Sequence, residues 1–232
     1  MAGAPATKAS RLVSPGESIH VMGPPPRFVG RGGEKLAAAL ETFGVDLGSK
    51  RVLDAGASTG GFTDCALQAG ASRVVAVDVG RGQIHQRLRS DPRVEVLERT
   101  NVRHLQAGQL GDPFDVIVAD LSFISLRVVA PALIDQAGDG AELIWLVKPQ
   151  FEAGKQEVSR FKGVITDPEI WRRTLQEVAT TIEQLGGAIM GVMPSPLKGA
   201  DGNVEFLIYA MNKRPLTDSA ALLDAAVDAV TQ

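Results

Sequence analysis

Four apolar runs in this chain of 232 residues each end on a charged side chain: Val52-Leu53-Asp54, Val74-Val75-Ala76-Val77-Asp78, Val116-Ile117-Val118-Ala119-Asp120 and Ile144-Trp145-Leu146-Val147-Lys148. Short apolar runs bounded by turn residues read as buried strands. If those strands run parallel, their four charged ends line up along one carboxyl edge, where open α/β sheets bind ligands. Any one aspartate there could equally be a turn residue or a helix cap. Four charged ends, one of them a lysine, argue for a built site: carboxylates that can hold hydroxyls and an amine that can handle a proton.

The loop after the first run reads Asp54-Ala55-Gly56-Ala57-Ser58-Thr59-Gly60-Gly61-Phe62. Its glycines let the backbone approach a ligand closely. The spacing is G-x-S-x-G-G, not the dinucleotide fingerprint G-x-G-x-x-G, and Ser58 stands where a glycine would make room for a pyrophosphate. The expected ligand is therefore a nucleoside cofactor without phosphates, S-adenosylmethionine. Gly56, Ser58, Thr59, Gly60, Gly61 and Phe62 would cradle it, and Asp120 would stand at the same rim. Asp78, 24 residues after Asp54, is placed to accept hydrogen bonds from both ribose hydroxyls. Asn101, after the third strand, is a candidate for the adenine edge, its alternative being a plain turn residue.

The residues also narrow the acceptor. Methylation at cytosine C5 needs a cysteine nucleophile, and the single cysteine, Cys65, falls behind the glycine loop inside a helix, as a small core residue would. Exocyclic-amine methylation would call for prolines in the loop that here reads Asp120-Leu121-Ser122-Phe123. A hydroxyl needs only a group that takes or orients its proton. Lys148 could do so as a base if burial and a second cation, Lys35, lowered its pKa. Asp120 and Glu205 would act in the opposite sense, leaving orientation of the hydroxyl as the other role for Lys148. Glu205, placed in a strand at 204–210, is costly to bury without a partner and is otherwise an exposed edge-strand residue.

The elements that must position these groups alternate along the chain. Helices are expected at 33–43, 61–68, 83–89, 125–134, 168–185 and from Thr217 onward. Strands are expected at 51–54, 73–78, 94–97, 114–120, 143–148, 188–193 and 204–210, with a long loop at 149–166. This is a seven-stranded, doubly wound, mostly parallel sheet of Rossmann-like type. Its last two strands are joined too tightly for a crossover helix, so they form an antiparallel pair at the late edge. Residues 1–26, ending in Pro24-Pro25-Pro26, read as a linker with one short strand at 17–22, ahead of a domain at 27–232.

Composition sets outer bounds. The chain is 44% apolar and 22% charged, with a net charge of −3. It is no polycation, so contact with nucleic acid requires a local basic patch. Arg27, Arg31, Lys155, Arg160, Lys162 and Lys198 are the candidates, each with ordinary solvated surface charge as its alternative. One cysteine excludes an internal disulfide framework and a cysteine-cluster metal site. No signal peptide or membrane span is visible, and a cytoplasmic location follows. A nicotinamide oxidoreductase and an RNA-binding module without catalysis are the rival readings.

Five segments together resemble the TlyA family of bacterial ribosomal RNA 2′-O-methyltransferases, also called haemolysins. They are Phe28 to Leu36, Leu53 to Thr63, Val118 to Ser125, Leu146 to Glu152 and Gly202 to Glu205. The resemblance spans residues 27 to 215. It implies cytidine 2′-hydroxyls of small- and large-subunit ribosomal RNA as targets, ribosomal subunits as partners, and an FtsJ-like catalytic set on Lys35, Asp120, Lys148 and Glu205. The family usually opens with an S4-type RNA-binding domain, whose remnant would be the first 26 residues. A membrane-lytic activity, suggested by the older name, fits poorly with the acidic C-terminal helix (Asp218, Asp224, Asp228).

Overall fold

The computed structural model describes residues 11–19, 25–199, 201–215 and 218–231. Strands β1 (Arg51–Ala55), β2 (Arg73–Val77), β3 (Val94–Leu97), β4 (Phe114–Ala119), β5 (Ala137–Val147), β6 (Gly187–Pro194) and β7 (Phe206–Asn212) form one sheet in the order β3-β2-β1-β4-β5-β7-β6. The first five are parallel, and β7 is antiparallel to both of its neighbours. The expected β6–β7 pair is present. β7 slots between β5 and β6, so the antiparallel strand lies one place in from the edge.

Alternation along the strands divides the core. Val52, Val74, Val116 and Ile144 face a layer that includes Leu36, Phe62 and Leu88, from α1 (Gly32–Phe43), α2 (Gly61–Gln68) and α3 (Gln86–Arg89). Leu53, Val75, Ile117 and Trp145 face Leu133, Trp171 and Val227, from α4 (Leu126–Ile134), α7 (Pro168–Gln184) and α8 (Ala220–Thr231). Period-two patterning on strands that are covered on both sides gives this two-sided core. Local signals start and stop the helices. Gly44, at φ 67°, ends α1, and Asp167 caps α7 ahead of Pro168.

Several boundaries differ from expectation. β5 starts at Ala137, six residues early, because its polar beginning pairs with Phe114 before a register shift. The helix expected at 83–89 shortens to one turn. The loop at 149–166 contains two short helices, α5 (Pro149–Glu152) and α6 (Lys155–Arg160). Residues 17–19 are not strand, and residues 20–22 of that expected strand lie outside the described residues, as does Thr217. Glu205 precedes β7 instead of lying within it.

Candidate active site

The glycine loop is forced into its shape by what crowds it. Gly56 (φ 90°) and Gly60 (φ 97°) adopt left-handed backbone, as does Ser58 (φ 48°). A Cβ on Gly56 would sit 2.6 Å from the Asp120 carbonyl, so glycine lets the ends of β1 and β4 close together. A Cβ on Gly61 would lie 2.9 Å from the Gly33 amide, which sets α1 against the start of α2 and brings Lys35 to the rim.

A cavity of about 600 Å³ opens above this loop. Of the residues singled out by sequence, Lys35, Gly56, Ser58, Thr59, Gly61, Phe62, Asp120, Lys148 and Glu205 line it, together with Arg31 and Lys198. Asp78 lines a smaller hollow that shares Ala57 and Ser58 with it. Gly60 lines neither, its Cβ direction being filled by Leu88. Asn101 also lines neither; its side-chain oxygen accepts from the Arg103 amide and caps a 3-10 turn at Val102–His104. Asp54, expected on the rim, is instead wholly buried inside β1. It accepts from the Thr63 hydroxyl at 2.6 Å, and among the described residues its other oxygen has no hydrogen-bond partner. Burial pushes its carboxyl up to about 7.

Two ion pairs dominate the cavity wall. Lys148 Nζ lies 2.6 Å from Asp120 Oδ1 and donates to Ser122 Oγ at 2.9 Å. Lys35 Nζ lies 2.5 Å from Glu205 Oε2. Both lysines and Glu205 are buried, so Glu205 is the partnered carboxylate, not the exposed edge residue. Each lysine therefore meets its own carboxylate, and Lys35 is not a bare second cation beside Lys148.

Three neighbours of the site carry no chemical signal in the sequence beyond their place in the motifs. Ser122 orients Lys148. Buried Asn203 accepts from the Ile165 amide and donates to the Gly163 carbonyl, both at 2.9 Å, so the turn leading to Glu205 is fastened to the segment after α6. Glu152 is buried beneath the start of α4. All three fall inside the quoted motifs, which was their only signal. Cys65 is buried and its thiol is pushed up to about 12 by desolvation, as for a core residue.

The residues present suit S-adenosylmethionine. Each Asp78 oxygen already accepts one backbone amide, from Ser58 at 2.8 Å and Gly80 at 2.6 Å, which fixes the carboxylate and leaves a lone pair on each oxygen for a ribose hydroxyl. The cavity beside it is the size of a small-molecule site. A parallel sheet with an inserted antiparallel strand, a glycine loop without a pyrophosphate seat and a paired-lysine rim define a nucleoside-cofactor methyltransferase.

Comparison with known proteins agrees. The FtsJ-like methyltransferase family model matches residues 28–212. The chain is 47% identical over 229 residues to the 16S/23S rRNA (cytidine-2′-O)-methyltransferase TlyA of Mycobacterium tuberculosis, covering 98% of this chain and 84% of that one. It is 43% identical over 217 residues to YqxC of Bacillus subtilis, described as a candidate rRNA methyltransferase, covering 90% and 76%. A solved structure from Streptococcus thermophilus, described as a candidate hemolysin, superposes with a TM-score of 0.85 at 36% identity over 90% of this chain and 76% of that one. The chain belongs to the FtsJ-like methyltransferases, in the TlyA group. Its cofactor is S-adenosylmethionine.

Proposed function

We propose that the chain methylates a cytidine 2′-hydroxyl of ribosomal RNA, in the cytoplasm, on ribosomal subunits or their RNA. The observation that carries this reading is the pairing of Lys148 with Asp120 and of Lys35 with Glu205 on one cavity wall, directly above the glycine loop. Bound S-adenosylmethionine would supply an electrophilic methyl group. Asp120 and Ser122 hold the Lys148 amine in place and use two of its directions, and among the described residues no further hydrogen-bond partner takes the third, which is left for the incoming hydroxyl oxygen. In that role Lys148 aligns a lone pair of the hydroxyl with the methyl group; as the O–CH3 bond forms, the S–CH3 bond breaks to leave S-adenosylhomocysteine and the hydroxyl proton passes to solvent. Lys35 and Glu205 form the opposite post of the same wall. Gly56, Ser58, Thr59, Gly61 and Phe62 line the cofactor's cradle, Gly60 shapes its turn, and Asp78 takes the ribose; Asn101 is left for the adenine edge only if its cap opens.

Features around the mouth suit RNA. Phe123 is 91% exposed with φ 65°, and its ring leans on Phe151 at 5.1 Å, an aromatic surface of the kind on which unstacked bases settle. Arg31 and Lys198 line the same cavity as Phe123. Residues 1–26 are assigned as a linker or a remnant of an S4-type RNA-binding domain, and 27–232 as the methyltransferase domain. Among the described residues no helix is long and apolar enough to cross a membrane. Titration with S-adenosylmethionine and with NAD, followed by transfer to ribosomal RNA and to DNA of matching sequence, tests the reading. Binding of the first ligand only, with methylation of RNA only, is expected; equal labelling of the DNA would exclude the 2′-hydroxyl.

A further inference from the structure

The Lys148–Asp120 pair spans two segments that share no strand. Asp120 begins a five-residue loop, 120–124, that leaves β4 for α4, and Lys148 caps α5 just beyond β5. The loop's first end is fixed, since the Asp120 amide donates to the Ala55 carbonyl at 3.0 Å. Its middle carries Ser122 and the left-handed Phe123, a conformation that costs free energy unless its surroundings enforce it. Something must therefore hold the far end.

Glu152 does so. Only 4% exposed, it closes the single helical turn that starts at Lys148, in which the Phe151 amide donates to the Lys148 carbonyl at 2.8 Å. Its carboxylate accepts from the Ser125 hydroxyl, from the Leu126 amide at 2.7 Å and from Arg127 Nε at 3.3 Å. Arg127 also donates to the Glu152 carbonyl at 2.9 Å and pairs with Glu177 on α7 at 2.7 Å. The result is a closed ring: Lys148, the α5 turn, Glu152, the start of α4, the 120–124 loop, and back through Ser122 and Asp120 to Lys148 Nζ. Burial raises the Glu152 carboxyl above its ordinary range, and these donors oppose that shift. Anions at helix N-termini are favoured, but a cap alone does not require the capping group to come from the turn that carries the reactive lysine.

We propose that Glu152 is a positioning residue for methyl transfer: by clamping the start of α4 to the Lys148 turn, it sets where Lys148 Nζ stands relative to Asp120 and Ser122. This rests on the methyl-transfer reading above. A misplacement of about 1 Å at a reacting group can cost on the order of 100-fold in rate. Substrate contact is not part of the role, so cofactor affinity should be spared.

The test compares Glu152→Ala, Glu152→Gln and, as a matched control, Val129→Ala, which thins the α4 core one turn beyond the ring and removes none of its hydrogen bonds. For E152A we expect a kcat loss of about 30-fold or more with S-adenosylmethionine affinity within twofold, and faster hydrogen exchange at 120–127. E152Q keeps an oxygen for the Leu126 amide and should recover most of the rate. V129A should lose melting temperature with kcat within twofold. An unchanged kcat in E152A, a loss confined to cofactor affinity, or an equal kcat loss in V129A would overturn the proposal. If E152A does not fold, Ser125→Ala removes one arm of the clamp and decides the matter: slower transfer supports the clamp, and an unchanged rate refutes it. Absence of transfer by the unmodified protein would instead defeat the methyl-transfer reading, and exchange at 120–127, which needs no substrate, would still judge the clamp.

Discussion

On the proposed function Lys148 acts on the acceptor and Asp78 on the cofactor, and substitution should separate them. Lys148→Ala is expected to bind S-adenosylmethionine with unchanged affinity and to lose transfer by at least about 100-fold, because its amine acts on the acceptor hydroxyl. Asp78→Ala should instead weaken cofactor binding by about 10-fold or more, since it removes a charged acceptor for two hydroxyls; calorimetry and single-turnover rates read the two effects separately. Asp54 offers a third check. Its carboxyl is raised from 3.8 to about 7 on folding, so the folded state favours the protonated form. That contribution is fully present below about pH 4 and is lost as pH rises through about 7. Asp54→Asn, which keeps an acceptor for Thr63, should therefore gain melting temperature relative to the unmodified protein at pH 8 and show little gain at pH 5. No pH dependence of that difference would mean the carboxylate is charged as it lies. Sequence placed Asp78, Asp120 and Lys148 correctly because each follows the last paired residue of its strand. It misplaced Asp54 because that residue pairs with Ala76 and Val118, one rung deeper, on the face that α2 covers with Thr63. An apolar run ending in Asp looks the same in either case.

Gly56 shows how the elements bear on the chemistry. Gly56→Ala would combine a strained positive φ with a Cβ 2.6 Å from the Asp120 carbonyl. A loss of roughly 2–3 kcal/mol is expected, visible in chemical denaturation, with cofactor affinity falling because the loop must move off β4. Full stability in that variant would mean the β1–β4 approach is loose. Helices and strands with strong periodicity were legible from sequence, down to α2 at Gly61–Gln68 and β3 at Val94–Leu97. The start of β5 was not, because Ala137-Gly138-Asp139-Gly140 reads as a turn and becomes strand only by pairing outward, at Phe114. Nor was the place of β7, since tight connection to β6 says nothing about its other neighbour. Glu205 was expected in the strand itself; the hairpin that ends at Asn203 holds it just ahead of β7, where its carboxylate can reach Lys35.

At the scale of the whole molecule, a net charge of −3 coexists with exposed cations, of which Arg31 and Lys198 line the cavity. Arg27, Arg31, Lys155, Arg160, Lys162 and Lys198 are exposed, and among the described residues none is held in an ion pair. By contrast Arg172 and Arg173, on α7, are each tied to carboxylates. Unpaired cations can release phosphate counterions on binding RNA. Replacing Arg31 and Lys198 by Ala should lower RNA affinity and flatten its salt dependence by about two charges, with S-adenosylmethionine binding intact; an unchanged salt slope would place the RNA elsewhere. The most direct test of the account is the chemical identity of the product. The protein is incubated with methyl-labelled S-adenosylmethionine and unmodified ribosomal subunits, and the RNA is then digested to nucleosides. Label is expected in 2′-O-methylcytidine and is lost in Lys148→Ala; label on a cytosine base, or none in RNA at all, would contradict the proposed function.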